Sequence, residues 1–144
     1  MLHRIRALLL AGFLFLPAVA LAQTVDLSTD DRAAIRQIIS RQIDAFRRDA
    51  GEEAFAYAAP GIRATFMSAD VFMAMVQSAY QAVYRPRSVQ FEEIIDFHGR
   101  PAQRVHLIGP DGIPVIAVYP MERQPDGSWL IAGCYLIPTD AHST

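Results

Sequence analysis

Lysine is absent from the 144 residues, and all 13 basic side chains are arginine. Schiff-base chemistry and lysine general bases are thereby excluded. Cysteine is nearly absent, with Cys134 alone. An internal disulfide is therefore excluded, and burial has to hold the fold without staples. Cys134 lies in an apolar, strand-like run, where a small buried hydrophobe is the expected role and a reactive thiol the alternative. The chain has no Gly-x-Ser-x-Gly elbow, Gly-rich phosphate loop, His-Glu-x-x-His or Cys-x-x-Cys. Ordinary hydrolase, kinase, zinc-protease and thiol-redox readings thus have no support. No cofactor or metal is expected.

Long apolar runs are confined to the first residues. Arg4 and Arg6 precede the run Ala7 to Ala20, and Ala20-Leu21-Ala22 fits small-x-small cleavage. This is the pattern of a signal peptide over residues 1–22. The run is short for a transmembrane helix, which needs about 20 apolar residues. Gln23, not a cysteine, stands directly after Ala22, so an acyl anchor is not indicated. The expected product is periplasmic or secreted, runs from Gln23 as one α+β domain, and has no stable membrane anchor after cleavage. With Arg4 and Arg6 removed, 11 arginines face 15 carboxylates. An acidic domain with scattered arginines is a poor nucleic-acid binder.

The centre of the mature chain is Ser68 to Pro86. Phe72, Met75, Val76, Ala79, Tyr80 and Val83 recur at the spacing of one helical face. Ser68 suits the N-cap, and Pro86 stops the helix near Tyr84. A first helix is expected from Ser28 or Thr29, with Ile35, Ile38, Ile39, Ile43 and Phe46 as its stripe and Gly51 as its end. Glu52 to Ala59 reads as a short helix broken by Pro60-Gly61, and Ile62 to Phe66 as one more turn. From Arg87 the period becomes two. Val89, Phe91, Ile95 and Phe97 alternate with polar residues, with a bulge expected near Glu93-Ile94. Gly99-Arg100-Pro101 reads as a turn. Strands are expected over Ala102–Ile108, Ile113–Glu122 and Trp129–Ile137, with Pro120 at an edge or bulge and Gly133 at a kink. The expected architecture is α+β, about three N-terminal helices on a curved antiparallel four-stranded sheet.

Two blocks carry a family resemblance. One is Ala54-Phe55, Ala59-Pro60, Ile62-Arg63, Phe66, Phe72, Met75-Val76, Tyr80 and Val83-Tyr84-Arg85-Pro86. The other is Gly127, Trp129, Ile131, Gly133-Cys134 and Leu136. Together they resemble DUF4864, a family of small exported bacterial proteins catalogued as a domain of unknown function. The element order also resembles the nuclear-transport-factor-2-like, or cystatin-like, roll. That superfamily includes isomerases, dehydratases, lipid-shuttling proteins and dimerisation modules, so the fold does not choose a function. The resemblance supplies no catalytic residue.

Asp96, His98, Arg104 and His106 are the polar residues that a shared sheet face brings together. A three-residue turn at Gly99–Pro101 sets Asp96 opposite Arg104 and Ile94 opposite His106. Asp96 or His106 would then serve as general base, with Tyr80 or Tyr119 donating to an oxyanion. The blander reading is a cross-strand Asp96–Arg104 pair contributing roughly 0.2–1 kcal/mol, a solvated His98 and a core His106. Tyr80, Tyr84, Arg85, His106 and Tyr119 are the pocket candidates. Each buried phenol should find a hydrogen bond, and Arg85 has the simpler role of capping helical carbonyls. The expected function is a non-enzymatic domain that binds a hydrophobic small molecule or lipid, or a partner protein such as a second copy. The alternatives are an isomerase- or dehydratase-like enzyme and a structural envelope assembly factor.

Overall fold

Helix α1, Thr29–Arg47, begins where the side chain of Ser28 accepts from the Asp31 amide and Asp31 returns the bond to the Ser28 amide, a capping box. The computed structural model describes residues 26–139. The expected leader and its cleavage site lie outside those residues. Four further helices follow: α2 Gly51–Ala56, α3 Pro60–Phe66, α4 Ala69–Ala79 and α5 Gln81–Tyr84. The single helix expected from Ser68 to Tyr84 is thus two. Ser68 caps it as anticipated, but Tyr80 leaves helical geometry at φ −128°, ψ 47°. The break turns α5 so that Tyr84 and Arg85 meet the end of α1.

The strands are β1 Ser88–Phe97, β2 Arg100–Ile108, β3 Pro114–Arg123, β4 Trp129–Ile131 and β5 Tyr135–Pro138, all antiparallel. The sheet has five strands rather than the expected four. The run from Trp129 splits around Gly133. Its first part pairs Met121–Arg123 of β3 and its second pairs Val115–Val118 of the same strand. Pro120 is the physical reason. Its carbonyl accepts from Ala132 at 2.8 Å, so the N–H that proline lacks falls on this same side, where the ladder is interrupted.

The β1–β2 hairpin corrects the expected pairing. His98 and Gly99 both have positive φ, 53° and 82°, the signature of a two-residue type I′ turn. Phe97 therefore pairs with Arg100 and Asp96 with Pro101. A bulge between Phe91 and Ile94 shifts the register again, so Ile94 faces Gln103 and His106 faces Gln90. Asp96 does not oppose Arg104, and Ile94 does not oppose His106. Arg104 pairs instead with the Glu93 carboxylate.

The helices cover one sheet face. Ile35, Ile39, Ile43 and Phe46 of α1 join Val105, Leu107, Ala117 and Met121 in the main core. On the other face Ala102, Ile116 and Val118 cluster with Ile95 and Phe97, strand residues alone. Asp31 ties the start of α1 to the far end of the sheet. Its carboxylate accepts from Trp129 Nε1 at 3.1 Å and from Arg123 at 2.7 Å. The Trp129 bond, then the Ser28 hydroxyl, hold the Asp31 carboxyl down at about 2. A carboxylate lowered on folding adds stability that is fully present above its unfolded pKa, about 3.8, and is lost as the pH falls through about 2. Asp49, Glu93 and Asp126 are lowered too. Urea midpoints are expected to fall between about pH 4 and 2, and Asp31→Asn to flatten part of that fall. An unchanged pH profile in the variant would refute the Asp31 tie.

Candidate ligand cavity between helices and sheet

The helical stripe of α4 does not pack flush on the sheet. A cavity of about 440 Å³ separates them, within the roughly 300–1,000 Å³ usual for small-molecule sites. Its inner surface is made by buried residues, among them Phe46, Ala58, Tyr119 and Ile131. Phe72, Val76 and Val83 wall it from the helices. Ala79 and Tyr135 line it and are exposed, so they stand at its rim. Phe72 is ringed by Phe46, Phe55 and Phe66 at centroid distances of 6.0, 5.3 and 5.8 Å. Two of these contacts are tilted and the Phe66 contact is edge-on, arrangements that aromatic pairs favour and that hold the wall. Small residues at Ala58, Ala79 and Gly133 leave the space between unfilled.

The lining contains no Asp, Glu, Arg or His. Its polar atoms are few and constrained. Gln42 is buried, and its Nε2 donates to the Ala54 carbonyl at 3.1 Å. Tyr119 is fully buried, and its hydroxyl finds no hydrogen-bond partner. Desolvation first, and the neighbouring Cys134 second, push that phenol well above its ordinary value. Burial likewise pushes the Cys134 thiol up to about 12. As a residue Cys134 is half-buried, in the segment between β4 and β5, and it lines the cavity. At about pH 8 roughly one thiol in ten thousand would then be ionised. Ellman's reagent is expected to leave native protein almost unmodified and to titrate one thiol per chain in guanidinium. Rapid native modification would overturn this placement.

The five pocket candidates divide. Tyr80 and Tyr119 line the cavity. Tyr84 and Arg85 are not among its lining residues. They clamp the end of α1, with the Arg85 guanidinium 3.9 Å above the Tyr84 ring and 3.0 Å from Asp49 Oδ2. Tyr84 donates to the same carboxylate, and Arg85 donates to the Phe46 carbonyl. The capping role expected of Arg85 thus serves α1 as well as its own helix, through the Tyr84 carbonyl. His106 is also outside the lining, opposite Gln90 and Ile116. Asp96 accepts from the Gly99 amide at 2.8 Å in the hairpin turn. Pro101, its partner, lies five residues from His106 on β2, a spacing of about 17 Å. No shared acid/base site joins the two. The turn and the bulge that set the register separate them.

Residues missed in the sequence include Gln42, Ala58, Gly133 and Cys134. Gln42 left a signal, since it continues the α1 stripe of Ile35 and Ile39 toward Phe46. Ala58 carries no local mark, whereas Gly133 and Cys134 read locally as a strand kink and a small buried hydrophobe, and only the fold brings them to the cavity. Among the described residues no group of three or more His, Cys, Asp or Glu gathers to hold a metal. No described helix is long and apolar enough to cross a membrane.

Fold and cavity together define a small α+β domain with an apolar chamber between its helices and a five-stranded antiparallel open sheet. The chain belongs to the family described as Domain of unknown function (DUF4864), whose model matches residues 28–144. None of the curated proteins and none of the solved structures matches it.

Proposed function

We propose that this is an exported, non-enzymatic domain that binds one hydrophobic small molecule in the chamber between helices and sheet. The carrying observation is the chamber itself, about 440 Å³ and lined almost wholly by apolar side chains. A half-open cleft of that size leaves its apolar walls against water, and an apolar occupant would remove that surface from water. The absence of catalysis is supported by the lining chemistry. General acid/base work needs groups that titrate near the operating pH. Tyr80, Tyr119 and Cys134 are all shifted up, away from neutrality. Export is supported by the leader pattern of Arg4, Arg6, Ala7–Ala20 and Ala20-Leu21-Ala22.

The test is a fluorescence titration of the mature protein with N-phenyl-1-naphthylamine, a neutral apolar probe that brightens when shielded from water. Saturable enhancement at one probe per chain is expected. A linear, unsaturable response at micromolar protein would end the proposal.

A further inference from the structure

We infer that the chamber's ligand is an uncharged molecule carrying one hydrogen-bond acceptor, such as a ketone or ester carbonyl, which the Tyr119 hydroxyl engages as donor at the floor. The inference rests on the ligand-binding reading above and adds the ligand's chemical class and its orientation.

Three buried side-chain polar atoms lack a partner among the described residues: Glu92 Oε1, Gln103 Oε1 and the Tyr119 hydroxyl. The first two are acceptors at the β1 bulge and do not line the chamber. Tyr119 does line it, and it is the one donor of the three. A hydroxyl buried without a partner is costly, and core tyrosines ordinarily find one. Nothing in the surrounding protein supplies a good acceptor. The neighbouring Cys134 thiol accepts only weakly. Gln42, the other buried polar residue of the lining, donates through Nε2 to the Ala54 carbonyl, and its Oε1, the acceptor, makes no bond to the Tyr119 hydroxyl. An orphaned donor on a residue that lines an apolar chamber is what an acceptor on a bound molecule would satisfy. Tyr119 lines the chamber while its hydroxyl is shielded from solvent, so engaging it requires a lining side chain to turn aside.

The sign of the ligand follows from the lining. No charged side chain is present to meet a carboxylate or an ammonium, and an unpaired ion in an apolar chamber is strongly disfavoured. A phenol held far above its usual range stays protonated at neutral pH and so stays a donor.

The experiment compares three probes of one shape, 2-acetylnaphthalene, 2-ethylnaphthalene and 2-naphthoate, by competition against N-phenyl-1-naphthylamine, on the native chain and on Tyr119→Phe. The variant removes an unsatisfied hydroxyl and is expected to fold at least as stably. Its affinity for 2-ethylnaphthalene is the internal check on the chamber. Tyr119→Phe should weaken 2-acetylnaphthalene about tenfold and leave 2-ethylnaphthalene unchanged or tighter. 2-Naphthoate should be the weakest of the three on the native chain. If the two neutral probes bind and respond alike to the variant, Tyr119 is not the anchor, while the ligand-binding reading stands. If naphthoate matches the ketone, the requirement for an uncharged ligand falls. If none of the probes binds the native chain, the ligand-binding reading fails and the anchor with it.

Discussion

Phe72→Ala is expected to cost about 3–5 kcal/mol of folding stability. Phe72 is 5% exposed and touches three other aromatic rings across α1, α2 and α3. It therefore joins four helices through one side chain. Its loss removes the transfer free energy of the ring and leaves a void that rigid neighbours cannot close. The void would merge with the chamber that Phe72 already walls. A second, more specific result follows. An apolar ligand that fits the enlarged chamber should recover part of the loss, about 2.7 kcal/mol at a free concentration one hundred times its dissociation constant. Phe55→Ala is the comparison, because Phe55 is half-buried and does not line the chamber. It should cost less, and ligand should stabilise it no more than it stabilises the native chain. Equilibrium urea unfolding with and without 2-ethylnaphthalene reads both effects. A loss below about 1 kcal/mol for Phe72→Ala would mean that the aromatic cluster is not the joint described here.

Much of this architecture was legible in the chain because it depends on local patterning. The stripe Phe72, Met75, Val76, Ala79 shows in the residue spacing, and these same side chains line the chamber. The Ser68 cap was legible for the same reason, since it needs only a hydroxyl ahead of an apolar period, and the start of α1 was legible to within Ser28 or Thr29. What depended on long-range geometry was not. Whether Gly99-Arg100-Pro101 or His98-Gly99 makes the turn changes every partner on β1 and β2. The wrong choice placed Asp96 beside Arg104 and suggested an acid/base cluster. The doubled pairing of β3 depends on which side of the strand a missing Pro120 N–H falls, and residue spacing cannot show that. The chamber is harder still. It arises where Ala58, Ala79 and Gly133, from three separate segments, leave room at one place. Each is unremarkable in its own context, and only the assembled fold makes their smallness coincide.

Ala79→Trp separates the chamber from every other apolar surface as the binding site. Ala79 is exposed at the last position of α4 and lines the chamber, so an indole there fills the entrance without displacing buried side chains. A naphthalene-sized probe buries a few hundred Å² at about 25 cal/mol per Å². Excluding it from half that area should weaken binding about 100-fold. Folding stability should move by no more than about 0.5 kcal/mol, as for other surface substitutions. Ala74→Trp is the matched control. It adds the same indole to an exposed position of the same helix, and Ala74 does not line the chamber. The competing site is the second sheet face, where Ile137 is 50% exposed opposite Ile116. A probe bound on that face would be indifferent to both tryptophans. A probe attracted to any added aromatic would respond to both in the same direction. Only occupancy of the chamber predicts that Ala79→Trp weakens binding about 100-fold while Ala74→Trp leaves it intact, as measured by titration with N-phenyl-1-naphthylamine.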